Sequence, residues 1–272
     1  MRVGPYELDG VLGAGGMGTV HKAHHSVLHR DVAVKELTHA DPQARTLFIQ
    51  EAQLLFGLKH PNFPTVLDLI ESRGRTFLVM DYVQGPSLGG VIKQRCLQGA
   101  EAVLLGQGLC RALEFLHGAG VLHRDVKPDN ILLPRGLADP VLVDFGIAGK
   151  MGAGGPVAFT PGMAAPEQVS GGVCGPPSDV YQVGATLFAC LTGEPPRDAT
   201  ARTADDDLGP LGALLDAQAG AAAQAIRNAL RLQPAHRPAT AKQMHDALAA
   251  RLAPTATEPA PSPSRKPFDI RR

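Results

Sequence analysis

No C-x-x-C pair occurs among the four cysteines, Cys96, Cys110, Cys174 and Cys190, and four is a low count for 272 residues. A disulfide framework is therefore not expected. The pattern fits reduced, mostly packed thiols in a cytosolic protein, with a metal site or a single disulfide pair as the minor alternative. The ten histidines are scattered and no H-E-x-x-H occurs, so a zinc site is not expected. The start, "MRVGPYELDG", lacks the apolar core of a secretory signal. No apolar run approaches the ~18 residues that a membrane span needs. Net charge is absent too: 26 basic residues balance 26 acidic ones, which removes the global field that nucleic acid or an anionic membrane would favour. These absences predict a soluble cytoplasmic protein with no membrane span and no nucleic-acid partner.

What is present suffices for a large core. Hydrophobic residues make up 44% of the chain, enough for one large domain or for two lobes. The first eighty residues read as strands with one helix. "YELDGVL" and "TVHKAH" flank a glycine cluster, and "DVAVKEL" alternates like a half-buried strand. "FPTVLDLIES" and "RTFLVMDYV" form a further pair joined through Arg73-Gly74. Between "DVAVKEL" and that pair, "ARTLFIQEAQLLFGLKH" predicts a helix ended by Pro61. From Ser87 onward the spacing turns helical. "AEAVLLGQGLCRALEFLHGAG" is followed by the nearly all-apolar "DVYQVGATLFACLTG", a central buried helix, and by "AAAQAIRNALRL" and "TAKQMHDALAARL". Residues 254–272, rich in Pro, Ser and Thr, read as a disordered tail.

Several segments carry chemistry. "VLGAGGMGTV" places Gly13, Gly15, Gly16 and Gly18 between two strands, where backbone N–H groups can approach anionic oxygens. Strand-like "TVHKA" follows, which argues against a Rossmann turn; a flexible hairpin is the plainer alternative. Lys35 ends the strand "VAVK". On a helix over 44–58, Leu47, Phe48, Leu54, Leu55 and Leu58 share one side and Glu51 falls in its middle. A carboxylate there needs a cation, and Lys35 is the candidate, unless Glu51 lies at the open edge of the stripe. "VLHRDVKPDNILL" crowds His123, Arg124, Asp125, Lys127, Asp129 and Asn130 between apolar segments. Asp125 can accept a hydroxyl proton, Lys127 can neutralise a phosphoryl group, and Asn130 and Asp144, the latter in "VLVDFG", offer hard oxygens to Mg²⁺. A salt-bridged turn is the simpler reading, but two turns that each set Asp after an apolar strand strain it.

Taken in order, "GAGGMGTV", "VAVK", Glu51, "HRDVKPDN", "DFG" and "APE" follow the template of protein kinases. The chain resembles the eukaryotic-like, bacterial Hanks-type serine/threonine protein kinases over about residues 6–251. The resemblance implies an α+β, bilobal kinase-like fold over 1–253. A β-rich N-lobe with one main helix would span about 1–82, and a mostly helical C-lobe about 83–253. It implies ATP with Mg²⁺, Mn²⁺ being an alternative, and protein substrates bearing Ser or Thr. Residues 12–20 (Leu12, Gly13, Ala14, Gly15, Gly16, Met17, Gly18 and Val20 among them) would cover the nucleotide. Val20, Ala33 and Leu132 would sandwich adenine, with Met80 as gatekeeper and Asp81 to Val83 as hinge. Lys35, fixed by Glu51, would hold the α- and β-phosphates. Asp125 would be the catalytic base, Lys127 would touch the γ-phosphate, and Asn130 and Asp144 would bind the metal. Asp179 would pin the catalytic loop, Glu167 would pair with Arg237, and Thr160 would reach the catalytic loop. Lys127 and "TPG" point to serine/threonine specificity. A pseudokinase scaffold is the alternative; a small-molecule phosphotransferase fits less well, because those enzymes lack the "APE" segment.

The chain also departs from the pattern. No Ser, Thr or Tyr lies between Asp144 and Phe159. Phe159 and Met163 stand where glycine and tyrosine are common. Residues 193–212 are short and polar, which predicts a reduced helix after the central one.

Overall fold

The computed structural model describes residues 1–15, 18–37, 42–144, 149–150, 159–204 and 207–250. Its first lobe is a six-stranded antiparallel sheet in the order β1-β2-β3-β4-β6-β5. The strands are β1 (Arg2–Val3), β2 (Tyr6–Gly15), β3 (Gly18–His25), β4 (Arg30–Leu37), β5 (Val66–Ser72) and β6 (Arg75–Asp81); helix α1 (Pro42–Phe56) links β4 to β5. The β5–β6 hairpin turns through Arg73 and Gly74, both at positive φ (51° and 74°), as a right-twisted two-residue turn requires.

Sheet register separates two faces. Cross-strand partners share a face, and neighbours along a strand alternate. Val20 pairs with Lys35, Lys35 with Leu78, and Ala33 with Met80, so these residues look toward α1 and the second lobe. Val32, Val34, Phe77 and Val79 point the other way and pack with Val3, Tyr6 and Ala23.

The second lobe is helical. Its elements are α2 (Leu88–Ile92), α3 (Gly99–Gly118), β7 (Val121–Leu122), β8 (Ile131–Leu132), β9 (Val141–Leu142), β10 (Gly149–Lys150), α4 (Pro166–Val169), α5 (Pro176–Thr192), α6 (Gly212–Ala219), α7 (Ala223–Ala229) and α8 (Ala241–Ala249). From Ser178 to Leu191 every residue of α5 is buried, as its apolar sequence predicts, and the helix stops at Gly193 in the left-handed region, φ 88°. The α+β, two-lobed fold expected from the sequence is the one found.

Three differences have local causes. Helix α1 ends at Phe56, short of Pro61, because Gly57 is a poor helix former and the chain then turns so that His60 stacks on Phe115, ring centroids 4.5 Å apart. Helices α2 and α6 and strand β1 were not foreseen: two are five residues or fewer, and α6 has no apolar stripe to announce it. Between α5 and α6 the described residues make a single 3₁₀ turn, Ala199–Ala201, in line with the short polar segment there. All four cysteines are free thiols; Cys110, Cys174 and Cys190 are buried and Cys96 is exposed.

Candidate active site

The polar loop that follows β7 is held through its backbone. The Asp179 carboxylate, at the start of α5, accepts the N–H groups of His123 (3.0 Å) and Arg124 (2.8 Å) and meets His117 Nε2 at 2.8 Å. Gln182 Nε2 donates to Arg124 O at 2.6 Å, Gln168 Nε2 donates to the same oxygen at 2.9 Å, and Thr186 donates to Val126 O at 3.2 Å. Gln182 Oε1 accepts the Val126 N–H at 2.9 Å. A loop lacking strand partners thus has its buried backbone groups satisfied by side chains from α4 and α5. This anchoring also holds Arg124 at φ 65°, a left-handed conformation costing a non-glycine residue about 1–2 kcal/mol. Burial pushes the Asp179 carboxyl up, but His117 and the backbone donors outweigh it and keep the group below its ordinary range.

The anchored backbone presents a compact set of charges. Lys127 Nζ lies 2.8 Å from Asp125 Oδ2 and 3.1 Å from the Thr160 hydroxyl. Asn130 Nδ2 donates to Asp125 Oδ2 at 2.7 Å and to Asp125 O at 3.0 Å. That fixes the amide and leaves Asn130 Oδ1 without a partner among the described residues. Asp144 follows β9, also at positive φ (62°), and its Oδ1 meets Lys35 Nζ at 2.8 Å across the lobe boundary. Lys35 is only 3% exposed, so its ammonium is a buried cation. The Asn130 amide oxygen and the Asp144 carboxylate are hard oxygens of the kind that a divalent cation takes.

The remaining candidates line the sheet side. Val20 and Ala33 share the face of Lys35, with Met80 beside them. Leu132 in β8 is half-buried below, and Leu12, at 49%, is exposed on β2. Gly13 and Ala14 pair with Val20 and Thr19, and Gly15 ends β2 opposite Gly18. Asp81 and Val83 form the strip joining the lobes. There Arg30 Nη2 donates to Asp81 Oδ1 at 2.6 Å, and Thr65 N donates to Oδ2 at 3.2 Å. Gly16, Met17 and the side chain of Glu51 lie outside the described residues, and the expected Lys35–Glu51 pair with them.

The glycines do different work. A Cβ on Gly18 would come within 2.2 Å of Glu36 O, a backbone atom of β4, whereas a Cβ on Gly13 would meet nothing within 4 Å. Gly18 is therefore set by strand packing, and Gly13 leaves open space above the cleft. Gly18→Ala should destabilise the fold by about 1–3 kcal/mol, seen as a lower urea midpoint. Gly13→Ala should stay within about 0.5 kcal/mol of the parent. Equal midpoints would refute this distinction.

Away from the loop, Arg237 meets both oxygens of Glu167, at 2.7 and 2.9 Å, and lies over the Tyr181 ring at 4.9 Å. Ser178 donates to Glu167 Oε1 at 2.7 Å. Arg237 thus ties the "APE" segment to the turn before α8 and Ser178 ties it to the start of α5; just ahead of it, Met163 and Ala164 are buried and Phe159 is exposed.

The sequence motifs point to Asp179 but not to Gln182, Thr186, Gln168 or His117. A signal was available for two of them. Asp179, Gln182 and Thr186 are the polar residues of an otherwise apolar stretch, three and four positions apart, hence on one helix face.

A family model described as "Protein kinase domain" matches residues 6–247. Serine/threonine-protein kinase PknJ of Mycobacterium bovis is 37% identical over 210 residues, covering 73% of this chain and 36% of PknJ. PknB of Mycobacterium leprae is 38% identical over 205 residues, 70% of this chain and 33% of PknB. The chain thus spans about a third of the length of these curated relatives. Among solved structures, the Mycobacterium tuberculosis PknI kinase domain superposes with a TM-score of 0.74 at 28% identity, covering 92% of this chain and 98% of that one. Matching over most of its length, and with the six motifs in family order, the chain belongs to the protein kinase domain family, whose members use ATP and a divalent metal.

Proposed function

We propose that this chain is a serine/threonine protein kinase that transfers the γ-phosphoryl group of Mg-ATP to Ser or Thr hydroxyls of proteins. The observation that carries the reading is the convergence of Asp125, Lys127 and the Thr160 hydroxyl within hydrogen-bond reach, opposite the Lys35–Asp144 pair. Asp125 accepts the proton of the acceptor hydroxyl as its oxygen attacks the γ-phosphorus, and the bond from that phosphorus to the bridging oxygen breaks to release ADP. Lys127 and Lys35 place positive charge where the triphosphate carries negative charge, and the buried setting of Lys35 strengthens its pull. Asn130 and Asp144 would hold Mg²⁺, or Mn²⁺ in its place; the ion would neutralise charge on the phosphates. Residues 12–20 would cover the phosphates, and adenine would lie between Val20, Ala33 and Leu132, beside Met80, with Asp81 and Val83 offering backbone hydrogen bonds.

The catalytic unit would occupy 1–253, with its lobes meeting near 82, and 254–272 would be an appended tail. No helix among the described residues is long and apolar enough to cross a membrane. We place the kinase unit in the cytoplasm, acting on protein substrates and not on nucleic acid. Transfer of labelled phosphate from ATP to a generic protein substrate, dependent on Mg²⁺, tests the assignment; nucleotide binding without transfer would defeat it.

Residues 145–158 offer no hydroxyl to phosphorylate, and Lys127 already occupies the Thr160 hydroxyl. Activity should therefore survive phosphatase treatment, with kcat within about twofold of the untreated enzyme. Loss of activity on dephosphorylation, with the phosphate mapped to Thr160, would refute this.

A further inference from the structure

Two of the four thiols meet at the end of α5. Leu97 N donates to Cys190 O at 2.7 Å, so the chain just before α3 is joined to the last turn of α5. The planar trans peptide and standard bond lengths then leave the Cα atoms of Cys96 and Cys190 no more than about 6 Å apart. That falls within the roughly 4.4–6.8 Å that a disulfide spans. The Cys96 sulfur is turned toward the helix, 3.5 Å from where a Cβ on Gly193 would sit. Gly193 donates its N–H to Ala189 O at 2.8 Å and follows Cys190 by one helical turn, hence on the same flank.

Exposure gives the two thiols different parts. Cys96 is exposed and Cys190 is fully buried. Burial pushes the Cys190 thiol up, and the Cys96 sulfur nearby adds to the rise. Cys190 is therefore inert by itself toward oxidants in solution. A hydroperoxide meets Cys96 first, with Cys190 beside it as the resolving thiol. Helices α3 and α5 are already packed together, since Leu187 of α5 lies 2.8 Å from where a Cβ on Gly106 of α3 would sit. Cys190 is about 16 Å along α5 from Asp179, which anchors the polar loop. The pair thus stands apart from the catalytic loop and does not rest on the proposed reaction.

We propose that Cys96 and Cys190 are a peroxide-responsive pair that closes a reversible disulfide in the folded protein. The Cys96 sulfur attacks one oxygen of hydrogen peroxide and the O–O bond breaks. Cys96 becomes a sulfenic acid, and the departing hydroxide takes up the thiol proton as water. The Cys190 sulfur then attacks the Cys96 sulfur, the S–O bond breaks, and hydroxide leaves with the Cys190 proton as a second water. The two thiols lose two electrons and the peroxide gains them. A dithiol reductant reverses the bond by exchange. The closed loop would hold α3, the polar loop and the "APE" segment, so the bond narrows the unfolded ensemble.

The test uses the full chain, reduced and freed of reductant, as an equal mixture of ¹⁵N-labelled and unlabelled copies. After treatment with hydrogen peroxide the remaining thiols are capped, and linkages are mapped by mass spectrometry without reduction. The expected result is a Cys96–Cys190 linkage within one copy, with a urea midpoint raised by about 1 M and returned by dithiothreitol. Cys96→Ser, at an exposed position that leaves the core intact, should abolish both changes. Cys96 left as a thiol or carried on to sulfinic acid without the linkage, linkages joining labelled to unlabelled copies, or a midpoint that oxidation leaves unchanged or lowers would each overturn the proposal.

Discussion

Asp125→Asn should reduce phosphoryl transfer by about 10³-fold while leaving ATP affinity within about threefold. The substitution keeps the shape of the side chain and removes its basicity. Its backbone setting is unaffected, because the loop is anchored through His123 N, Arg124 N and Arg124 O by groups on α4 and α5. What disappears is the proton acceptor beside the attacking hydroxyl and the anionic partner of Lys127, 2.8 Å away. The lysine keeps the Thr160 hydroxyl at 3.1 Å. Single-turnover kinetics with labelled ATP measure the first effect, and equilibrium binding of a non-hydrolysable ATP analogue the second. Transfer reduced less than tenfold would mean that Asp125 is not the base. The same experiment separates an active kinase from a nucleotide-binding scaffold, since a scaffold has no transfer to lose.

The second large effect concerns stability. Arg237→Leu should cost about 3–5 kcal/mol, because it strands the Glu167 carboxylate in a largely buried place without its cation. The Arg237 side chain is 0% exposed and Glu167 11%, so solvent cannot substitute. Arg237 also donates to Pro177 O, Arg231 O and Leu232 O, and those carbonyls lose this donor together with Glu167. In a unit of this size the expected loss corresponds to a Tm lower by roughly 10 °C. Adding Glu167→Gln should return part of it, since no lone charge then remains.

Acid should act on the same pair. Burial pushes the Glu167 carboxyl up, but the Arg237 guanidinium and the Ser178 hydroxyl together hold it below its ordinary value of 4.5. Its contribution is therefore complete above pH 4.5 and is lost as pH falls through the folded-state value. Urea midpoints measured from pH 7 down to pH 3 should fall more steeply for the parent than for the double variant. Parallel curves would show that the pair does not govern acid stability.

Much of this molecule could be read from residue type and spacing alone. Alternation announced β4, and an unbroken apolar run announced α5. Asp125, Lys127, Asn130 and Asp144 stood out as charge placed beside strands that want burial. Such signals are local: a periodicity of two or of 3.6 records which face of an element turns inward, and each motif carries its own chemistry. Tertiary structure alone decided which groups meet. Lys35 reaches Asp144 across 109 positions. The carbonyl of Arg124 collects donors from Gln168 and Gln182, and Gly18 proves to be demanded by the backbone of β4. Burial patterns say that a polar group inside must be satisfied, but not by which partner, because that choice depends on how distant segments pack against one another.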